Sequence, residues 1–418
     1  MELRAPVLAC SRSGGRRRWY HAPRACSAMR SPIRSQQASA GAAPKRILFV
    51  EPAGLLWGSE RALLDLVRHL DRTAFEPVIA CPPGAPLLER LRALRVPAVE
   101  VPLSRLHHRG AGARAWAAIA LLGATLRVRP DLIHVNQAGL ARLAVLAGRL
   151  LRIPVVCHVR MQREAEVLRV RRQEWLAPDA RIAVSGDVAE RMGAHAMDRT
   201  ITDPFDAAAF VEGTGDRSAA RRRVRQELMI AAEAPVMGLF ARVCRDKRQD
   251  MLVAAAPELL RRYPEAHFLV VGAAPESDPA ACSYEGRLRA GVRAERLEQR
   301  IHFTGQRDDI GPLMAACDAI VLPSVNETFG RVLLEGIALS VPIVVARAAG
   351  PAEIVGDDER GLSFPPDDLA AMIDTIDRTL SRPDEAAARA SVAREWLRDR
   401  CAPPVHARAV ERLYHAIL

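Results

Sequence analysis

Residues 319–355, AIVLPSVNETFGRVLLEGIALSVPIVVARAAGPAEIV, admit few folds. The apolar run Ala319–Leu322, closed by Pro323, reads as a buried parallel strand. A polar turn with Ser324, Asn326, Glu327 and Thr328 follows, then a helical pattern from about Gly330 to Leu339. The chain returns in a second apolar run, Pro342 to Ala346. In such strand–loop–helix–strand units ligands collect where the strand ends and the helix begins, and the free N–H groups of the helix start attract anions. Glu327 stands in the loop and Glu335 about two turns into the helix. An ionised carboxylate accepts from two hydroxyls at once, so this pair beside an anion-seeking helix end suits a ligand with hydroxyls at both ends and phosphates between. A nucleotide sugar has that shape. The spacing alone is equally that of carboxylates on a solvated helix face.

The rest of the chain repeats the alternation. Strands are expected at 46–50, 76–81, 98–101, 131–135, 154–157 and 180–184, separated by helical stretches at 59–70, 86–94, 111–127, 140–151 and 187–192. A second array starts at Val236–Phe240 and continues through strands at 267–271 and 300–303, with helices near 249–262, 284–294 and 310–316. Alternating strand and helix with apolar strands argues for parallel, doubly wound sheets. Gly54 and Gly58 lie in the first strand–turn–helix, which places the N–H groups of Gly58 and Ser59 at a helix N-terminus; a plain tight turn fits these residues as well. Arg242 ends a strand and Lys247 precedes a helix; together such cations can neutralise a diphosphate as it becomes a leaving group. His158 follows the Pro154–Cys157 run, at the strand edge where ligands bind, although a histidine there is by itself an ordinary hydrogen-bonded loop residue. Arg160 and Arg163 lie in a polar loop that can hold a phosphate or an acidic acceptor, or can simply be solvated. His134 is expected in the core or at a sheet edge, and Ser185 as a helix N-cap. Asp203–Asp206 and the arginines at 221–223 mark a boundary between the arrays.

The order PS…NETFG…LLEG…VPIVVA, with Glu327 and Glu335 as an E-x7-E pair, resembles the retaining GT-B glycosyltransferases of family 4. The resemblance extends to Trp57-Gly-Ser-Glu60 as the family's G-G-x-E loop near the donor diphosphate, His158 as the histidine facing the donor sugar, and Arg242…Lys247 as its G-R-x-x-x-x-K segment. It covers about residues 45–415. Trp57, Ala241 and Ser340 stand where the family usually has Gly. A residue other than Gly at 340 carries a strain cost if the backbone there needs a positive φ.

The resemblance implies an α/β, GT-B fold of two Rossmann-like, doubly wound domains facing across a cleft. Their ranges are an N-terminal, acceptor-side domain over 45–205 and a nucleotide-sugar domain over 206–402, with a C-terminal helix, 403–418, crossing back to the first. It implies a metal-independent transfer of sugar from a UDP- or GDP-linked donor to a glycan, lipid-linked or small-molecule acceptor, with retention of configuration and no cofactor. The donor site would comprise Gly58, Ser59, Arg242, Lys247, Glu327, Thr328, Phe329, Gly330, Arg331 and Glu335, with His158, Arg242, Lys247 and Glu327 catalytic. No Asp-x-Asp triplet occurs, so cationic side chains are expected to replace a bridging metal. The rival readings are a sugar-nucleotide epimerase or phosphorylase of the same fold, or a non-catalytic nucleotide-sugar-binding module.

Charge and cysteines narrow the setting. Of the net +11, residues 1–44 carry +7, from eight arginines and one acid, and lack any apolar periodicity. They are expected to be a disordered, dispensable extension, or to precede a true start at Met29. The remainder is mildly basic, which disfavours nucleic-acid binding and allows peripheral contact with anionic lipid at the inner membrane face. Eight scattered cysteines without a C-x-x-C pair disfavour a disulfide framework and a metal site, and fit a reducing cytoplasm.

Overall fold

In the computed structural model the described residues are 43–103, 111–170 and 176–418. The expectation for residues 1–42 lies outside them. The first array consists of strands β1 (Lys45–Val50), β2 (Phe75–Cys81), β3 (Ala98–Glu100), β4 (Leu132–Val135), β5 (Val155–Val159), β6 (Ala180–Ala183) and β7 (Arg199–Thr200). Helices α1 (Gly58–His69), α2 (Leu87–Ala93), α3 (Ala111–Val128), α4 (Ala141–Leu151), α5 (Gln162–Val170) and α6 (Gly186–Met192) connect them. The strands form one parallel sheet in the order β3-β2-β1-β4-β5-β6-β7. After α7 (Ala207–Thr214) and α8 (Arg217–Glu227), a second parallel sheet has the order β10-β9-β8-β11-β12-β13. Its strands are β8 (Val236–Phe240), β9 (His267–Val271), β10 (Ile301–Gly305), β11 (Ala319–Leu322), β12 (Ile343–Ala346) and β13 (Leu362–Phe364). The helices here are α9 (Gln249–Arg262), α10 (Pro279–Ala294), α11 (Ile310–Ala315), α12 (Arg331–Ala338), α13 (Ala349–Val355) and α14 (Leu369–Ser381), followed by α15 (Pro383–Cys401) and α16 (Pro403–Ile417).

Every residue of β4, β5, β6, β8, β9, β11 and β12 is buried, as strands covered by helices on both faces must be. Side-chain oxygens of Asp206, Asp216, Asp278 and Asp368 cap the starts of α7, α8, α10 and α14. Ser185 Oγ does the same for α6, accepting from Val188 N. Both sheets share one continuous core, and Ala43–Leu418 is a single compact unit.

Several expectations need correction. The segment with Arg163 is not a loop, because α5 starts at Gln162. The strand expected to end at Cys157 runs on to Val159, pairing His158 with Ile182 and Val159 with Ala183. His158 therefore lies inside β5 and not beyond it.

Helix α16 packs on α1, and its Ala407, Val410, Leu413 and Tyr414 join the core beneath β1 and β2. Tyr414 stacks edge-on against Phe75 at 5.4 Å and its hydroxyl meets His134 Nδ1 at 2.5 Å, both rings fully buried. Tyr414→Phe is expected to leave that imidazole nitrogen without a partner and to lower unfolding free energy by about 1–3 kcal/mol in urea titrations. An unchanged midpoint would show that the contact contributes nothing.

Candidate active site

Adjacent parallel strands β8 and β11 bring their carboxyl ends side by side, and the predicted donor residues of the second array lie beyond them. A short 3₁₀ turn, Arg245–Lys247, carries Lys247 to Glu327, and the two side chains form a partly exposed ion pair. Arg242 is exposed, and its guanidinium makes no hydrogen bond or ion pair with any described residue. Its carbonyl accepts from the buried Gln249 Nε2 at 2.9 Å, which fixes the backbone of the turn.

The loop from Pro323 to Gly330 is shaped by two glycines. Gly330 has φ +95°, which lets the chain swing into α12. At Gly350 a Cβ would collide with the Thr328 carbonyl and the Phe329 Cα, so α13 can begin directly against the loop. Phe329 anchors the loop in the core, Thr328 is half-buried, and no side chain caps the start of α12. The amides there stay open to an anion. Two buried polar atoms, Ser324 Oγ in this loop and Arg331 Nε at the first residue of α12, have no partner. Glu335 is half-buried one turn further on; burial raises its carboxyl pKa, while Arg331 and Arg61 oppose the shift. Arg61 lies on α1, so charge from the first array acts on Glu335.

The facing edge belongs to the first sheet. Gly58 opens α1 with an ordinary extended Trp57 before it, and a Cβ on Gly58 would sit 3.9 Å from Arg331 Cδ. Trp57 in place of Gly therefore imposes no backbone strain. Arg331 also donates to the Pro204 carbonyl at 3.2 Å and lies over the Phe205 ring at 5.3 Å. Ser59 belongs to a polar network built from residues that directly follow strands. Glu51, after β1, accepts from Asn136, after β4, at 2.6 Å, and from Ala53 N at 2.9 Å. Gln137 Nε2 reaches Ser59 Oγ at 3.0 Å and both Glu51 and Glu60 at 3.3 Å. Arg160, after β5, donates to Asn136 and pairs with Asp203. Sequence reading missed Glu51, Asn136 and Gln137, while Glu60 was reached only as the last residue of the G-G-x-E resemblance. A polar residue directly after an apolar strand run was the available signal.

His158 is fully buried and presents no surface to a ligand. Its Nδ1 lies 3.1 Å from His134 Nε2, its ring stacks on His406 of α16 at 5.9 Å, and its Nε2 has no partner. Burial first, and then Arg160, push its pKa well below the usual imidazole value; His134 is lowered to about 3 and His406 to about 4. These rings are neutral in the fold. Among the described residues no cluster of three or more His, Cys, Asp or Glu is placed to hold a metal ion.

Two further contacts join the arrays. Glu353 on α13 accepts from Gly186 N and Asp187 N, both at 2.9 Å, so its carboxylate sits on the N-terminus of α6. The crossing segments run side by side, with Phe205 N donating to Cys401 O at 2.7 Å and His406 Nδ1 bonded to Thr202 O at 2.8 Å.

Comparison with known proteins agrees with this layout. Residues 57–202 match the family described as Glycosyltransferase Family 4, and residues 234–382 match Glycosyl transferases group 1. A 2-deoxystreptamine N-acetyl-D-glucosaminyltransferase of Streptomyces fradiae is 30% identical over 75% of this chain and 80% of its own length. A D-inositol 3-phosphate glycosyltransferase of Corynebacterium efficiens is 31% identical over 56% of this chain; the match spans 52% of that protein, about half its length. Among solved structures, HepE from Anabaena, determined with UDP-glucose, superposes with a TM-score of 0.73 at 23% identity, covering 89% of this chain and all of that one. A glycosyltransferase from Rickettsia africae reaches a TM-score of 0.76 at 18% identity, covering 90% of this chain and 98% of its own.

Burial, and then Glu60, raise the Glu51 carboxyl from 4.5 to about 7. The fold thus binds this proton more tightly than the unfolded chain, and the associated stability is lost as pH rises from about 4.5 to 7. The buried histidines act in the opposite sense, so the informative quantity is the difference between variants. Glu51→Gln, which cannot ionise, is expected to gain on wild type in urea midpoint across that window; a constant difference would refute the shift. Glu353→Ala is expected to speed hydrogen exchange at Gly186 and Asp187 and to cost about 1 kcal/mol, with Glu353→Gln intermediate. Unaltered exchange would mean that the contact does not hold α6.

Proposed function

Because the chain belongs to the group 1, family 4 glycosyltransferases, a family of the GT-B fold, we propose that it transfers a sugar from a nucleoside diphosphate sugar to an acceptor hydroxyl, with retention of configuration and without a metal. The observation that carries this reading is the Lys247–Glu327 pair beside an unpartnered Arg242, an uncapped helix start and two orphaned buried polar atoms. Cationic and donor groups left unsatisfied beyond two neighbouring strands suit a polyanion. UDP is the favoured nucleotide, since HepE was solved with UDP-glucose.

The proposed division of labour follows from the chemistry. The bond from the anomeric carbon to the diphosphate breaks with its electron pair left on the diphosphate. Arg242, Lys247 and the amides at Gly330 and Arg331 stabilise that charge. The acceptor oxygen forms the new bond, and its proton passes to the departing diphosphate. Lys247 turns from Glu327 to the phosphates as donor enters, which frees Glu327, with Thr328 beside it, for the sugar hydroxyls. Glu335 holds the ribose hydroxyls, and its raised proton affinity falls as two donors approach it. Phe329 keeps the loop in place. Gly58 and Ser59 close over the diphosphate from the first sheet, on a loop held by Glu51, Glu60 and Gln137. His158, buried inside β5 between His134 and His406, does not touch the sugar. The acceptor is a glycan, a lipid-linked sugar or a small molecule, and the protein works in the cytoplasm at the inner membrane face. No helix among the described residues is long and apolar enough to cross a membrane.

With UDP- and GDP-sugars and candidate acceptors, wild type is expected to release diphosphate only when acceptor is present. Lys247→Ala is expected to lower kcat about 10²–10³-fold, and Glu335→Ala to raise the donor KM. Release without acceptor would point to an epimerase or phosphorylase, and tight nucleotide binding with no turnover to a binding module.

A further inference from the structure

Helices α3 and α4 pack on each other and bury Leu121, Ala124, Val128, Ala141, Ala144 and Val145 against the same face of the first sheet. Their outer surfaces therefore face the same way. Those surfaces are apolar where solvent-facing helices are usually polar. Trp116 is 62% exposed, Ile119 62% and Leu126 53% on α3, and Leu146 44% and Leu150 68% on α4. Positions 116, 119 and 126 fall on one helical stripe with the exposed Gly123 between them, and 146 and 150 are one turn apart. Five of the twelve most exposed large apolar residues among those described thus share one face, which makes it a patch and not scatter.

Charge is equally one-sided. Residues 101–163 contain ten arginines, no lysine and a single acid, Asp131. Residues 45–418 carry +4 in all, so this stretch carries +9 and the rest is net −5. Asp131 is taken up by Lys45 Nζ at 3.0 Å and Arg46 N at 2.8 Å. Of the ten, Arg160 is buried and paired with Asp203, and Arg149 pairs with Asp179 at 3.0 Å. Neither α3 nor α4 contains an acidic residue, and Arg127, Arg129 and Arg152 are exposed at their carboxyl ends.

We propose that this face docks on an anionic lipid bilayer, with α3 and α4 lying in its interface. Trp116, Ile119 and Leu150 would enter the acyl boundary while the arginines meet headgroup phosphates. A second copy of the chain is a poorer occupant, because a self-complementary contact would bring arginine against arginine with no acid on either helix to pair them. The inference rests on the inner-membrane placement proposed above and names the surface responsible for it.

Flotation of the full chain with phosphatidylcholine vesicles, with and without phosphatidylglycerol, tests it. Binding is expected only with phosphatidylglycerol and is expected to weaken with salt. The triple variant Trp116→Ser, Ile119→Ser, Leu150→Ser should stay with the soluble fraction. Arg127→Gln with Arg152→Gln should lower partitioning roughly 30-fold. Both variants should keep the wild-type melting temperature and its rise with UDP-sugar. Three results would overturn the proposal: no flotation of wild type, undiminished flotation of the triple variant (binding then resides elsewhere, for instance in the arginines of residues 1–44), or a solution dimer that these substitutions dissolve. Failure of the sugar-transfer reading would show separately, as a melting temperature indifferent to nucleotide sugar beside intact flotation.

Discussion

Parallel strands share one direction, so a parallel sheet has all its carboxyl ends on one edge, and the open ends of its helices lie there too. In this protein that constraint acts twice. Glu51, Asn136 and Arg160 follow three neighbouring strands of one sheet, while Arg242 and the 323–330 loop follow two neighbouring strands of the other. What remains is to hold the two edges together. Arg331, donating to the Pro204 carbonyl and lying over the Phe205 ring, does so on one side, and Glu353 on the α6 N-terminus does so as well.

These ties are not separate from the loop they flank. Helix α13 starts with Gly350 pressed on Thr328 and Phe329, and Gly350 N donates to the Glu327 carbonyl at 3.2 Å. Three residues later Glu353 holds the other array. One short helix thus fixes both the backbone that carries Glu327 and its relation to the opposite sheet. The ion pair of Glu327 with Lys247 thus rests on backbone fixed by packing and hydrogen bonds.

Much of this was legible in the sequence. Apolar runs closed by Pro or Gly gave β11 and β12 within a residue, and the order of motifs gave the family. The positive φ suspected at Ser340 is present, at +56°. The errors have physical causes. A polar His158 ended the apolar run on paper, but its imidazole is housed by His134 and by His406, which α16 contributes from about 250 residues away. No local pattern encodes that packing. Helix α5 is polar along much of its length and was passed over as a loop. The Glu51–Gln137–Glu60 network joins residues that follow β1 and β4 to the first turn of α1, and their meeting depends on strand order and not on spacing.

The central claim is that one small molecule is gripped from both edges. A crystal structure with bound UDP measures this most directly. The diphosphate is expected between Arg242, Lys247 and the amides at Gly330, with the ribose on Glu335, and with Lys247 released from Glu327. A nucleotide bound away from these residues, or one that leaves the Lys247–Glu327 pair intact, would contradict the account.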